Sequence, residues 1–464
     1  MAIKLLNTRT RKIQMFVPRT NKIGLYSCGP TVYSEQHIGN MRTYVFVDIL
    51  KRTLNYFGYD VYHVMNYTDV GHLTSDADTG DDKVELAAKK EGKTPEKITS
   101  YYIKLFERDL NKLNIKPADV KPKATEHIKE QIDMIKLLEK KGYTYKIQDG
   151  IYFDTSKFIR YPLFANLNIE GLKAGKRVDI GDKHNVTDFA LWKFSKTPGI
   201  RFQEWDSPWG VGFPGWHIEC SAMAFKYLGK QFDIHTGGED HIAVHHTNEI
   251  AQTEASFGVS PSVNYWLHSR FLNFAGEKIS KSKGTTLTIS ELEKEGFTAL
   301  DFRYFVLTAS YTKQLTFSLD NLRNSKQAYD KLKQTIIKNK NSDILITKDI
   351  KLVQKYIRNF NNAIEDNLNT PKAMSIMMKV LKDKRLSKYD KLQLVYNFDN
   401  IFALDLRSVT KEKIKITNEI KELLNKRQKA KEMKDYKLAD NIREKILSKG
   451  FKIIDTKDGV KITK

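Results

Sequence analysis

The hydrophobic pattern is organised around one stretch, Leu25 to Phe57. Lys22–Cys28 is a short apolar run that reads as a strand, and Gly29-Pro30 breaks it. From Ile38 to Phe57 the spacing turns helical: Phe46, Leu50, Leu54 and Phe57 share one stripe, and Gly58 stops it. A strand, a turn and a helix N-terminus form a ready place for a phosphate, because the first N–H groups of a helix have no partner inside it. Cys28 closes the strand, and His37 precedes a Gly39 small enough to let a nucleotide lie against the backbone.

Val61–Asn66 reads as a second strand running into the acidic loop TDVGHLTSDADTGDD. Ligands of open α/β sheets bind at such carboxyl ends. Helical spacing follows at Val84–Glu91, Pro95–Leu113 and Ala124–Lys141, the last stopped by Gly142. Between Tyr143 and Pro198 the texture changes. Tyr143–Tyr145 and Ile151–Asp154 predict a hairpin, and Glu170–Lys183 an exposed loop, which fits an insertion between two halves of a parallel sheet. The α/β alternation then resumes: Gly210–Gly215 leads into a helix at Trp216–Tyr227, followed by a strand at Phe232–Thr236, a helix at Ile242–Phe257 and a strand at Asn264–Leu272. That strand enters the basic loop Gly276–Gly284. Beyond Leu287 no strand is expected until the last residues. Helices fill Ile289–Leu406 and Lys411–Ser448, and Phe451–Ile462 predicts a small hairpin around Lys457-Asp458-Gly459.

The chain has 464 residues, 40% of them hydrophobic and 11% aromatic, values of a globular protein with several domains. No apolar run reaches the roughly 20 residues of a membrane span. The basic N-terminus lacks the apolar core of a signal peptide, so a cytoplasmic protein with no membrane partner is expected. Two cysteines, 192 positions apart, exclude a disulfide scaffold and leave room for a metal pair assembled by the fold. The net charge of +22 is uneven. Residues 331–464 carry 33 Lys and Arg against 17 Asp and Glu, so sixteen of the 22 charges lie in the helical tail. A basic helical tail is the footprint of a nucleic-acid partner.

Two clusters carry candidate chemistry. Cys28 and Cys220 supply thiolates, and Gly237-Gly-Glu-Asp-His-Ile-Ala-Val-His-His-Thr-Asn-Glu249 supplies an imidazole and a carboxylate. On a helix, His245 shares a face with Glu249 at four residues and His246 does so at three, and spacing does not choose between them. Two thiolates, one imidazole and one carboxylate suit Zn²⁺. The second cluster is Glu277-Lys-Ile-Ser-Lys-Ser-Lys-Gly284, whose interleaved lysines can gather around polyphosphate oxygens.

His37-Ile-Gly-Asn40 together with Lys278-Ile-Ser-Lys-Ser282 resembles the paired HIGH and KMSKS signatures of class I aminoacyl-tRNA synthetases, with Asn and Ile as departures. Cys28-Gly-Pro-Thr-Val-Tyr, Asn66-Tyr-Thr-Asp-Val, Gly215-Trp-His-Ile-Glu-Cys220 and His245-His-Thr-Asn-Glu249 narrow the resemblance to the cysteinyl-tRNA synthetase family, over nearly the whole chain. The resemblance implies an α/β fold: a Rossmann-like parallel-sheet catalytic domain split by an insertion, then an all-α helical bundle and a small C-terminal tRNA-binding domain. The boundaries expected are 1–120 and 201–275 for the two catalytic halves and 121–200 for the insertion. The lysine-motif loop and stem-contact region spans 276–330, the bundle 331–408 and the anticodon-binding domain 409–464.

It also implies roles. One zinc ion would be held by Cys28, Cys220, His245 and Glu249 and would bind the substrate thiolate, separating cysteine from serine by softness rather than shape. Four protein ligands usually mark a closed structural zinc, so the reading requires five-coordination or a Glu249 that loosens. His37 and Asn40 would act on ATP with Lys278 and Lys281, with Gly39 and Asp240 contributing to ATP binding and Mg²⁺ accompanying it. Gly29, Thr68, Trp216 and His235 would line the L-cysteine pocket. The acceptor would be tRNA-Cys, with Arg427, Lys434, Asp435, Tyr436, Lys437 and Arg443 as candidate anticodon contacts, and a monomer is expected. Two other readings share parts of the pattern: a cysteine ligase with an amino-sugar acceptor, which leaves the basic tail without a use, and a zinc-stabilised nucleic-acid-binding protein without catalysis, which leaves the lysine motif without one.

Overall fold

The computed structural model of the chain describes residues 2–71, 73, 82–167, 182–274, 287–340, 349–410, 417–456 and 459–463. The chain forms two compact units, Met1–Arg407 and Ser408–Lys464. The first opens with an antiparallel hairpin, β1 (Lys4–Asn7) and β2 (Lys12–Met15), that the hydrophobic pattern does not announce. Four-residue strands are too short to display an alternation. Next come β3 (Lys22–Ser27), α1 (Ile38–Tyr56), β4 (Asp60–Met65), α2 (Lys83–Glu91) and α3 (Pro95–Lys112), each within a residue or two of its expected bounds. The helix expected over Ala124–Lys141 begins as a 3-10 turn and becomes α4 (Ile128–Lys140).

The insertion holds more than a hairpin, and its sheet runs past the expected boundary at residue 200. Strands β5 (Thr144–Ile147), β6 (Gly150–Phe153), β7 (Phe189–Phe194) and β8 (Gly212–Pro214) form an antiparallel sheet in that order. Strand β7, Phe-Ala-Leu-Trp-Lys-Phe, is almost wholly buried, so it lacks the alternation that marks a half-exposed strand. The loop expected over Glu170–Lys183 lies outside the described residues except for its last two positions.

Then follow α5 (Trp216–Leu228), β9 (Phe232–Gly238), α6 (His245–Phe257), β10 (Val263–Ser269) and β11 (Leu272–Phe274). Helix α6 starts three residues later than the pattern predicts, because Glu239–His241 winds as a separate 3-10 turn. Beyond it lie α7 (Ile289–Lys294), α8 (Ala299–Leu307), β12 (Leu315–Phe317), α9 (Leu319–Lys340), α10 (Ile350–Glu365), α11 (Thr370–Lys382) and α12 (Lys388–Phe402). Strand β12 corrects the expectation of an unbroken helical stretch: it pairs in parallel with β11, Leu272 opposite Leu315.

The central sheet runs β10-β9-β3-β4, all parallel. Helices cover both faces. Leu25 and Ile234 pack into one core with Met41, Val45 and Ile49 of α1. Tyr26, Val64 and Trp266 pack into the other with Ile218, Met223 and Ile250 of α5 and α6. Strand order reverses direction between β3 and β9, and the carboxyl ends of those two strands carry Cys28 and His235–Gly238. That is the switch point at which open α/β sheets bind ligands. No described helix is long and apolar enough to cross a membrane.

His63 gives the sheet a built-in acid sensitivity. Its buried ring places Nε2 2.7 Å from the Ser27 hydroxyl. Burial and then the Lys51 ammonium push its pKa down to about 3, against the opposing pull of Asp119 and Asp48. An unfolded histidine titrates near 6.5, so between that pH and 3 the unfolded chain binds more protons and stability falls as pH drops. From pH 7 to pH 5 the wild type is expected to lose about 2 kcal/mol more than His63→Gln, read from urea unfolding of both proteins. Equal losses would remove His63 from the explanation.

The second unit comprises α13 (Asn418–Glu432), α14 (Tyr436–Ser448) and the hairpin β13 (Lys452–Thr456) with β14 (Gly459–Thr463). Ile420, Ile442, Ile446, Phe451 and Ile453 form its core. Arg427 was expected as a nucleic-acid contact. It is instead buried at 2% exposure and donates to both carboxylate oxygens of Asp455 at 2.9 and 2.8 Å. Asp435 caps α14 by accepting from Leu438 N at 3.0 Å. Lys434, Tyr436, Lys437 and Arg443 are exposed.

Candidate active site

The site begins with two strand ends laced together. Gly29 N donates to Asn66 Oδ1 at 3.0 Å, Thr68 N to Pro30 O at 3.1 Å, and Val32 N to Thr68 O at 3.1 Å. A Cβ on residue 29 would stand 1.5 Å from Asn66 O, so only glycine lets the two backbones approach this closely. The lacing holds Cys28 and Thr68 on the rim of one depression. Asn66 Nδ2 donates to the Thr68 hydroxyl at 3.2 Å, and the Cys220 thiol donates to Asn66 Oδ1 at 3.7 Å.

Helices α5 and α6 bring the rest. Cys220 lies one helical turn after Trp216, and His245 lies one turn before Glu249. Ligand atoms of Cys28, Cys220, His245 and Glu249 all lie within 4.8 Å of one another, and all four residues are buried. Cys28, His235, His246 and Glu249 converge equally closely. Glu249 belongs to both sets. Its Oε1 is 3.0 Å from His245 Nε2, and its Oε2 is 2.9 Å from His235 Nε2. His246 is engaged elsewhere as well: Nε2 lies 3.3 Å from Cys28 Sγ and Nδ1 2.7 Å from His268 Nε2. The Trp216 indole stacks on the His245 ring, centroids 4.3 Å apart. His235 stacks on Trp266 at 4.4 Å.

The other wall is the N-terminus of α1. His37 is its N-cap, with Nδ1 accepting from Asn40 N at 3.3 Å. An imidazole in this role is unusual, since short hydroxyl and carboxamide side chains dominate N-caps. A neutral ring that accepts at Nδ1 carries its proton on Nε2. Gly39 has a second use besides room for a nucleotide: a Cβ there would stand 2.9 Å from the His37 ring and disturb the cap. Asn40 Nδ2 donates to Gln36 Oε1 at 2.8 Å. Ile38 N donates to Leu287 O at 2.8 Å, so a residue three positions beyond the lysine segment is bonded to the first turn of α1. Lys278 and Lys281 themselves lie outside the described residues. Asp240, in the turn after β9, has a largely exposed side chain.

Residues 14–327 match the family described as "tRNA synthetases class I (C) catalytic domain". The chain belongs to the cysteine branch of the class I tRNA synthetases. Among similar proteins, Cysteine–tRNA ligase 1 of Burkholderia lata is 42% identical over 464 residues, covering 100% of this chain and 97% of the relative. The cysteine–tRNA ligase of Treponema denticola is 44% identical over 487 residues, covering 98% of both. In fold, the chain is similar to methionyl-tRNA synthetase of Mycobacterium tuberculosis in complex with methionyl-adenylate, with TM-score 0.55 and 13% identity over 83% of this chain and 90% of that one.

In this synthetase the buried cluster is strongly polarised. The neighbouring Cys28 thiol pulls Cys220 down to about 6, aided by His245. Burial and then Cys220 push Cys28 well above the ordinary thiol range. Burial alone would depress His245, but Glu249 and then Cys220 outweigh it and lift the imidazole to about 10. Burial opposes the charge of Glu249, yet His235 and His245 hold it well below the usual carboxylate range. His246 and His268 are held neutral, chiefly by burial. Without a metal the Cys220 and Glu249 charges are balanced by a protonated His245; a soft divalent cation, which fits the donor set, would take over that balance as His245 gives up its proton.

Of the residues that the sequence signatures single out, the fold brings Cys28, Cys220, His245 and Glu249 together with Trp216 stacked on His245, and it sets His37, Gly39 and Asn40 at the N-terminus of α1. Three contributors escaped: Asn66, which laces the strand ends, His268, which backs His246, and His217, whose Nδ1 lies 2.9 Å from His245 Nδ1. Asn66 and His217 lie inside the signature segments and His268 near the end of β10, but only long-range contacts give them these roles.

Proposed function

We propose that this chain is a cysteine–tRNA ligase that activates L-cysteine with ATP and transfers it to the 3′-terminal ribose of tRNA-Cys. The observation that carries the reading is the convergence of Cys28, Cys220, His245 and Glu249 beside the α1 N-terminus, at the switch point of a parallel sheet. These four residues would hold Zn²⁺, which when bound supplies a thiophilic Lewis acid that prefers a thiolate to a hydroxyl.

The chain's own groups do the rest. Gly29, Thr68, Trp216 and His235 line the cysteine pocket, the Trp216 indole closing it from above His245. The His37 Nε2–H and the positive N-terminal end of α1 receive ATP phosphate oxygens, with Asn40 and Gly39 beside them and Asp240 toward the adenosine. Lys278 and Lys281 neutralise charge as pyrophosphate departs, with Mg²⁺ accompanying the nucleotide. Such chemistry depends on positioning and charge stabilisation rather than on covalent help. The ribose hydroxyl then attacks the adenylate carbonyl, and the released phosphate oxygen takes its proton. The exposed Lys434, Tyr436, Lys437 and Arg443 offer an aromatic among basic groups to a splayed anticodon base. We place the enzyme in the cytoplasm as a monomer, where Cys28 and Cys220 stay reduced.

ATP–pyrophosphate exchange tests the reading. Exchange is expected with cysteine and at least about 10³-fold less with serine, as expected when the site coordinates a group that the competitor lacks. The same protein is expected to charge tRNA-Cys and to leave a free amino sugar unmodified. Active protein without cysteine-dependent exchange would end the proposal, and ligation to the sugar would change the acceptor.

A further inference from the structure

Among the described residues, Glu219 is the buried carboxyl whose two oxygens both lack a hydrogen-bond partner. It is 0% exposed. Buried polar groups are nearly always satisfied, so a carboxyl left with two empty acceptors calls for an external donor. Its acidic neighbours are served by the fold. Asp69 accepts from Thr125 N at 3.0 Å and from the Thr125 hydroxyl at 2.7 Å. Asp82 accepts from Gly71 N and Val84 N, both at 2.8 Å.

Glu219 stands on the first turn of α5, three residues after Trp216 and beside Cys220. The loop leaving β4 passes over it. Gly71 adopts φ +72°, and a Cβ there would come within 3.1 Å of Glu219 Oε1, so the bare glycine keeps the approach to that oxygen open. Burial, then Cys220, Asp69 and Asp82, push the Glu219 carboxyl well above the ordinary carboxylate range, whereas the Thr68 hydroxyl, from the same loop, favours its charge. The carboxyl therefore lies against the amino-acid pocket, in a negative surrounding, with its acceptors unfilled. A group with several N–H donors and one positive charge complements it.

We propose that Glu219 receives the α-ammonium group of the amino-acid substrate, with the Thr68 hydroxyl beside it, and thereby turns the substrate side chain toward Cys28 and Cys220. This role rests on the synthetase reading. It makes the pocket two-ended: one end recognises the amine and the other the thiol.

The test uses the full-length enzyme in ATP–pyrophosphate exchange, with two competitive probes. Cysteamine keeps the ammonium and thiol of cysteine, and 3-mercaptopropionate keeps the thiol and carboxylate. In Glu219→Gln and Glu219→Leu, KM for cysteine and the inhibition constant for cysteamine are expected to rise by about 10- to 100-fold. Inhibition by 3-mercaptopropionate should stay within about twofold, which a general loosening of the pocket would not allow. A parallel weakening of all three ligands, or no change in any, would overturn the role. If the leucine variant does not fold, the isosteric glutamine variant carries the comparison. Absence of exchange in the wild type would instead fault the synthetase reading.

Discussion

Replacing Cys28 with serine is expected to lower cysteine-dependent exchange by about 10³-fold or more, with ATP affinity changed by no more than about threefold. The substitution exchanges a soft donor for a hard one at the centre of four converging groups, whose ligand atoms lie within 4.8 Å of one another. It leaves a buried Glu249 facing His235 and His245 without the cation proposed to balance the cluster. The fold around it need not suffer, because Cys28 contributes its backbone, not its sulfur, to the link with Thr236 O at 3.3 Å. Chelation of zinc from the wild type should reproduce the loss, and added zinc should restore the wild type but not Cys28→Ser. If exchange ignores chelation, the enzyme is still a synthetase, but the four residues hold the fold rather than the thiolate. His246→Asn distinguishes the two donor sets: it should leave zinc stoichiometry at one if Cys220 and His245 are ligands, and abolish it if His246 is.

Removal of Ser408–Lys464 is expected to leave cysteine activation within about twofold while lowering tRNA charging by at least about 100-fold. The unit has its own core of Ile420, Ile442, Ile446, Phe451 and Ile453, and all candidate groups for activation lie in Met1–Arg407. Loss of stacking and charge contacts worth about 1–3 kcal/mol per base accounts for the size of the expected fall. Tyr436→Ala in the intact chain should give a smaller effect of the same kind, whereas Arg427→Ala should act through stability, since the Arg427 side chain is buried and bound to Asp455. Undiminished charging by the truncated protein would remove the tail from tRNA recognition.

The extent to which the chain could be read in advance follows from the range of each interaction. Local periodicity gave β3, α1, β4, α5, β9 and the C-terminal hairpin nearly to the residue, because alternation, helical stripes and glycine stops act over a few positions. It missed β7, whose two faces are both buried, and β12, whose three residues pair with a strand some forty positions away. Signature motifs placed the candidate residues in order along the chain, since backbone turns and cap positions demand particular residues at fixed spacing. Arg427 shows the opposite case: a basic residue in a basic helix reads as a nucleic-acid contact until its partner Asp455 is seen 28 positions later.

By itself the sequence determined a parallel α/β core interrupted by an insertion, a basic helical tail, and the identity of the groups able to meet a thiol and a nucleotide. Only the tertiary structure decided that Cys28, Cys220, His245 and Glu249 share one pocket, that His246 faces the same pocket through Cys28 and His268, and that Glu219 is left with two unfilled oxygens. The physical reason is that these relations join four segments up to about 220 residues apart, and burial and hydrogen-bond closure at that range depend on how the sheet and its covering helices pack, which no local pattern encodes.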